Sequence, residues 1–169
     1  MSMDPAIQET RKTSSVLCAM MIEVARALQA DSESVFSKEG CAVITEDDGD
    51  IDTLIAGAVG RIGLCATIMF QKARSASTTL PGPCFNNAAI VVEISELAIT
   101  NRSENGLQVT ALEAAEQAAL ILHQARMESG RMTFVSDIIK YPQPTEPADN
   151  CYHVIVTTGE VTLRRPKRR

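Results

Sequence analysis

Tryptophan is absent from this chain, and aromatic residues make up only 4% of its 169 positions. A chain so poor in rings must fill its interior with aliphatic volume, here Ala, Ile, Leu, Val and seven methionines. The same scarcity argues against a base-stacking platform, which needs exposed rings to receive unpaired bases. No apolar run approaches the ~18 residues that cross a bilayer, so no membrane partner is expected. No secretory leader is expected either, because Asp4, Glu9, Arg11 and Lys12 interrupt the first residues before any apolar stretch develops. The expected place of synthesis and folding is a cytoplasm. The five cysteines (Cys18, Cys41, Cys65, Cys84, Cys151) are odd in number and widely spaced, with no CxxC pair. That pattern is neither a zinc motif nor a disulfide framework, and it reads as reduced thiols serving as small core residues.

A chain of this length, 45% hydrophobic and 22% charged, is expected to form one domain over residues 1–163. Its net charge of −5 hides an asymmetry. The last six residues, 164–169, carry five positive charges on Arg164, Arg165, Lys167, Arg168 and Arg169, which leaves the body at −10. An acidic body is a poor general binder of nucleic acid, and no specific nucleic-acid binding is expected. The basic tail is a candidate contact for an acidic partner or for nucleic acid; its plainer reading is a disordered, solubilising end.

The chain is organised around residues 88–127. Ala88 to Asn101 reads as a strand, residues 102–109 as a polar turn, and Thr110 as the start of a helix. Thr110-Ala-Leu-Glu113 matches a capping box, in which the Thr hydroxyl takes the Glu113 N–H and the Glu113 carboxylate reaches back to the Thr110 N–H. Leu112, Ala115, Ala118, Ala119, Leu120 and Leu122 recur at helical spacing, and Gly130 is read as the stop. Ahead of this stretch, Asp4-Pro5 signals a helix start, with a weaker second start at Thr13-Ser14-Ser15 and a helical period running to about Gln29. Residues 41–45 read as a short strand. The acidic cluster 46–50 lacks a calcium-loop register, so it is read as a loop whose Asp50 caps a helix ended by Gly60 or Gly63. Residues 64–70 are apolar on both faces, as in a strand covered on two sides, and then turn polar. A strand that starts buried and ends polar, as this one does at Gln71, Lys72 and Arg74, usually runs out of its own domain's cover.

A turn-rich connection, residues 78–87, joins this strand to the next as a hairpin with a protruding loop. A change of phase after Ile94 predicts a bulge near Ser95-Glu96, and a similar change predicts one at Gly159. Residues 132–141 and 151–163 supply two closing strands around a proline-rich connection. The order is α–β–α–β–β–α–β–β, an α+β class with helices packed on one face of a mainly antiparallel sheet.

Chemistry is sparse. His123 and His153 have no His, Cys or Asp at metal spacing, and there is no nucleophile elbow. Cys–His catalysis would require one of the cysteines to meet a histidine in space. Glu93 and Glu96 straddle the expected bulge, so their directions are not fixed by alternation. Paired carboxylates can do acid–base work, although strand carboxylates are more often solvent-facing or ion-paired. No catalytic residue, metal or cofactor is assigned.

Laid out this way, the chain resembles a known family. A long N-terminal helix precedes hairpin strands; then come a strand over 91–102, a Gly-containing turn, a capped Ala/Leu helix over 110–123, and closing strands over 134–142 and 152–163. This is similar to the tail-terminator and minor-tail proteins of long-tailed bacteriophages and prophages, in element order over roughly residues 40–163 and in local sequence around 91–123. The resemblance implies a structural protein without enzyme activity. Such a protein closes the tail tube as a ring, commonly of six subunits, and contacts the tail-tube protein and the head–tail connector proteins. It would act in the host cytoplasm during assembly and in the virion tail afterwards. A ring needs a head-to-tail contact, which the strand end at Gln71, Lys72 and Arg74 is placed to make. An acidic body would line a channel along which DNA slides without sticking. The basic tail and the cysteines are not explained by the family, and no family site residues carry over. A different class is the alternative: a small cytoplasmic adaptor or assembly chaperone that binds a partner through the basic tail.

Overall fold

Ser15 opens the first helix: its hydroxyl accepts the Cys18 N–H at 3.2 Å, satisfying one of the donors that a helix start leaves free. The computed structural model describes residues 15–75, 84–159 and 161–163. The expected start at Asp4-Pro5, most of the hairpin loop and the basic tail from Arg164 to Arg169 lie outside the described residues. Helix α1 (Val16–Ala30) buries Met20, Met21, Val24, Ala25 and Leu28, the stripe that a 3.6-residue period draws. Strand β1 (Ala42–Thr45) follows, then a 3₁₀ turn over the acidic cluster and helix α2 (Ile51–Ile62). Asp50 caps α2 by accepting the Thr53 N–H. Gly63 ends it at φ 86°, a left-handed conformation favouring glycine, and a Cβ there would run into the Asn101 backbone.

Strands β2 (Leu64–Ser75) and β3 (Cys84–Glu96) form the expected antiparallel pair. A single helical turn, Ala98–Asn101, precedes helix α3 (Ala111–Leu122), and the remaining strands are β4 (Ala125–Arg126), β5 (Met132–Lys140), β6 (Asn150–Thr158) and β7 (Val161–Thr162). The class is α+β. The sheet runs β1-β2-β3-β6-β5-β4, with β7 alongside β3, and only the β1–β2 pair is parallel. No helix among the described residues is long and apolar enough to cross a membrane.

The helices do not share one face of the sheet. α1 and α3 cover Leu64, Ala66, Ile68, Ile90, Val92, Ile94, Val154 and Val156. α2 lies on the opposite face, where Ile55, Ala58 and Val59 meet Ile44, Cys65 and Ala148. The two-sided burial of the first half of β2 follows directly. Each large aliphatic side chain fully buried here contributes on the order of 1.5–3 kcal/mol.

Three local expectations need correcting. β3 keeps one register against β6 from Ala89 to Glu96, so there is no bulge at Ser95-Glu96. The strand simply stops, and Leu97 and Ile99 change phase because they enter a helical turn. The irregularities fall instead in β2, around Lys72, and in β5, between Val135 and Asp137. At the other expected bulge, β6 ends at Thr158 and pairing with β3 resumes at Val161. Next, α3 ends at His123, not at Gly130, which lies beyond β4. Lastly, α3 turns Ala111, Ala114, Ala115, Ala118 and Leu122 inward, while Leu112 and Leu120 are exposed. A face of alanines lets the helix axis approach the sheet more closely than a leucine face would.

Candidate functional site

Glu93 and Glu96 stand three residues apart on β3, so alternation sends them to opposite faces of the sheet. Both are buried. On the α3 face, Glu96 gathers donors from separate parts of the chain. Asn101 Nδ2 donates to its Oε1 at 2.7 Å and Arg102 Nε at 3.4 Å; the Ala111 N–H donates to its Oε2 at 3.3 Å and Asn150 Nδ2 at 3.4 Å. A carboxylate at the first turn of α3 is favoured by the unpaired N–H groups there, which the Thr110–Glu113 capping box also serves. Asn101 Nδ2 also donates to the Val109 carbonyl at 2.7 Å, holding the turn between β3 and α3. Glu96 is therefore architectural.

The opposite face has a different character. Strand pairing sets two adjacent rows of polar side chains across the sheet: Cys65, Ser95 and Cys151 in one, Thr67, Glu93 and His153 in the next. His153 Nε2 lies 2.9 Å from Glu93 Oε2, and Ser95 Oγ donates to Glu93 Oε1 at 3.3 Å. The Tyr141 ring stacks on the His153 imidazole at 4.6 Å between centroids and 13° between planes. Its N–H donates to the Cys151 carbonyl, tying the ring's backbone to β6. One ligand atom each from Glu93, Cys151 and His153 lies within 4.8 Å of the other two, the one such group of metal-binding side chains found among the described residues.

This constellation corrects the expectation that neither histidine has a ligand neighbour. Cys151 and His153 are two apart, and two residues apart on a strand means the same face. That signal was present in the sequence; Glu93 enters only through cross-strand pairing. Its chemistry is not that of an activated nucleophile. Burial, and then the Glu93 charge, push the Cys151 thiol up to about 12, and burial above all takes Cys65 to about 12 as well. A thiol so raised holds its proton near neutrality and attacks poorly. The groups available are a fixed carboxylate, an imidazole and a thiol, arranged to share a proton or to surround an ion.

Further along the same face, a groove of about 420 Å³ is lined by Gln71, Lys72, Arg74, Asp137, Ile139 and Ile155, among others. The three expected interface residues of β2 are thus brought together opposite β5. Ile139 links the groove to the cluster, since it pairs with His153. His123 takes no part: it caps α3, accepts the Val135 N–H on Nδ1 at 3.2 Å and meets Phe134 edge to face. Arg164, Arg165, Lys167, Arg168 and Arg169 lie outside the described residues. In comparisons with known proteins, no family model and no curated sequence matches this chain.

Proposed function

We propose that this protein is a structural component of a phage or prophage tail, closing the tail tube as a ring of its own copies and contacting head–tail connector proteins, with no enzyme activity of its own. The observation that carries this reading is the set of exposed apolar side chains on several unlike elements of one chain. Leu112 and Leu120, the latter at 82% exposure, stand out on α3, and Ile99 at 81% on the helical turn before it. Ile138, Ile139 and Tyr141 are exposed on β5 and just beyond it. A ring is built from heterologous contacts, in which one surface of each subunit meets a different surface of the next. Exposed apolar residues on separate elements suit that arrangement, because each subunit can offer one element to the neighbour before it and another to the neighbour after it. The polar end of β2 beside the groove adds charge that can fix the register of such a contact. A body at −10 also suits the wall of a channel that DNA must traverse without binding.

Sizing by light scattering over a range of concentrations, alone and with purified tail tubes, tests the proposal. Ring-sized particles, or co-sedimentation with the tubes, are expected. A protein that stays monomeric and free of the tubes in both settings overturns it. Removal of residues 164–169 leaves assembly intact on this reading; loss of partner binding with oligomerisation unchanged would point instead to an adaptor working through its tail.

A further inference from the structure

We infer that Glu93, Cys151 and His153 form a binding site for a divalent transition-metal ion of the zinc class. The donor set selects the metal. A thiolate and an imidazole are poor ligands for calcium or magnesium, which take oxygen, whereas sulfur, nitrogen and one carboxylate oxygen together suit zinc, cobalt(II) or iron(II). Around a tetrahedral ion with bonds of about 2.0–2.3 Å, ligand atoms stand roughly 3.3–3.8 Å apart. One ligand atom from each of the three already lies within 4.8 Å of the other two, and His153 Nε2 stands 2.9 Å from Glu93 Oε2. Opening that pair slightly to admit an ion is side-chain motion alone, because β3 and β6 fix the backbone in register.

The supporting contacts are those that a metal site needs. Ser95 holds Glu93 by its other oxygen, leaving Oε2 to point at the shared centre. Tyr141 fixes the plane of the imidazole and leaves Nε2 facing the carboxylate. Groups of this kind orient the ligands, and losing one typically weakens metal binding tenfold or more. The side chain of His153 keeps 19% of its surface exposed, which gives an ion a way in and leaves a fourth position for water. When the ion binds, the Cys151 sulfur–hydrogen bond breaks, a sulfur–metal bond forms, and the proton goes to solvent. Where the hydrogen shared between His153 and Glu93 sits on Nε2, it passes to solvent as Nδ1 takes one up, so the imidazole stays neutral and its Nε2 lone pair joins the metal. No oxidation or reduction occurs.

Cobalt(II) titration of the untagged, chelator-treated full chain tests this. A sulfur-to-cobalt charge-transfer band with the strong visible absorption of a four-coordinate ion is expected at one cobalt per chain, with release of at least one proton and displacement by zinc. Cys151→Ser should abolish the band, and His153→Gln should weaken binding at least about tenfold. Zinc should raise Tm for the parent chain and leave it unmoved for Cys151→Ser. A parent chain without the charge-transfer band overturns the inference. So does a band that persists in Cys151→Ser, since the thiolate would then come from another cysteine. Because the parent spectrum is decisive by itself, a variant that fails to fold does not rescue the proposal. The site is independent of ring assembly, so either reading can fail without the other.

Discussion

The two buried glutamates of β3 show how neighbouring positions with the same side chain come to do different things. Glu96 faces α3 and is held by donors from four other residues, one of them the cation of Arg102. Glu93 faces the other way, toward one imidazole, one hydroxyl and a nearby thiol. The first carboxylate is saturated by groups that cannot leave without undoing a helix start and a turn. The second is held by groups that can exchange a hydrogen bond for an ion. Burial alone therefore does not separate architecture from chemistry; the number and kind of partners does.

Substitutions can break this contrast, and the largest effect belongs to Glu96. Glu96→Ala leaves one of the two buried Asn101 amide hydrogens and the Ala111 N–H without an acceptor, and should cost on the order of 3 kcal/mol in a urea melt. A loss below about 1 kcal/mol would show that water replaces the carboxylate and that the two faces are alike. On the opposite face the chelator-treated chain should tolerate more. The Glu93→Gln/His153→Gln double variant should lose less than about 2 kcal/mol, because neutral amides of similar size replace both members of the pair together. Equal losses on both faces would end the comparison.

Alkaline titration sharpens it further. The Cys65 thiol stands at about 12 in the fold, against an ordinary value near 9. Its folded value is the higher one, so its contribution to stability is intact below pH 9 and is lost as pH rises from there toward 12. Denaturant midpoints should fall across that window, and alkylation of Cys65 at pH 8 should be slow until the chain is unfolded. Glu93→Gln removes a neighbouring negative charge, so Cys65 should ionise at lower pH in that variant, read from thiolate absorption. Glu96→Gln should not shift it, because that carboxylate faces away. The smallest effect on folding should come from Leu120→Ser. That side chain is largely exposed, so stability should change by less than about 0.5 kcal/mol. Ring or tube association should nonetheless weaken in the same sizing measurement.

Much of the architecture was legible in the sequence because it rests on local rules. The capping box at Thr110–Glu113 and the Asp50 cap appear where residue type and spacing placed them, α2 stops at the second of the two glycines expected to end it, and the β2–β3 hairpin forms with its second strand starting at Cys84 instead of Ala88. The errors arose where tertiary contacts decide. Helical spacing allowed either the leucines or the alanines of α3 to turn inward, and proximity to the sheet chose the alanines. The parallel β1–β2 pair carries α2 to the far face, which no residue in α2 announces. The site was half legible: Cys151 and His153 follow from strand alternation, whereas Glu93 lies 60 positions away in the chain and joins them only through sheet register.

The unequal lengths of the strands have a mechanical consequence. β2 is twelve residues long, about 40 Å at the usual strand rise, whereas β6 has nine. The hairpin is thus anchored at its base by the ladder from Ala89 to Glu96, and among the described residues the two of β7 pair with β3 toward Cys84. It is built as a cantilever. A pull along the hairpin loads the β3–β6 ladder in shear, with its hydrogen bonds sharing the force together, so traction applied at the far end of the ribbon is carried into the sheet without first peeling a helix away.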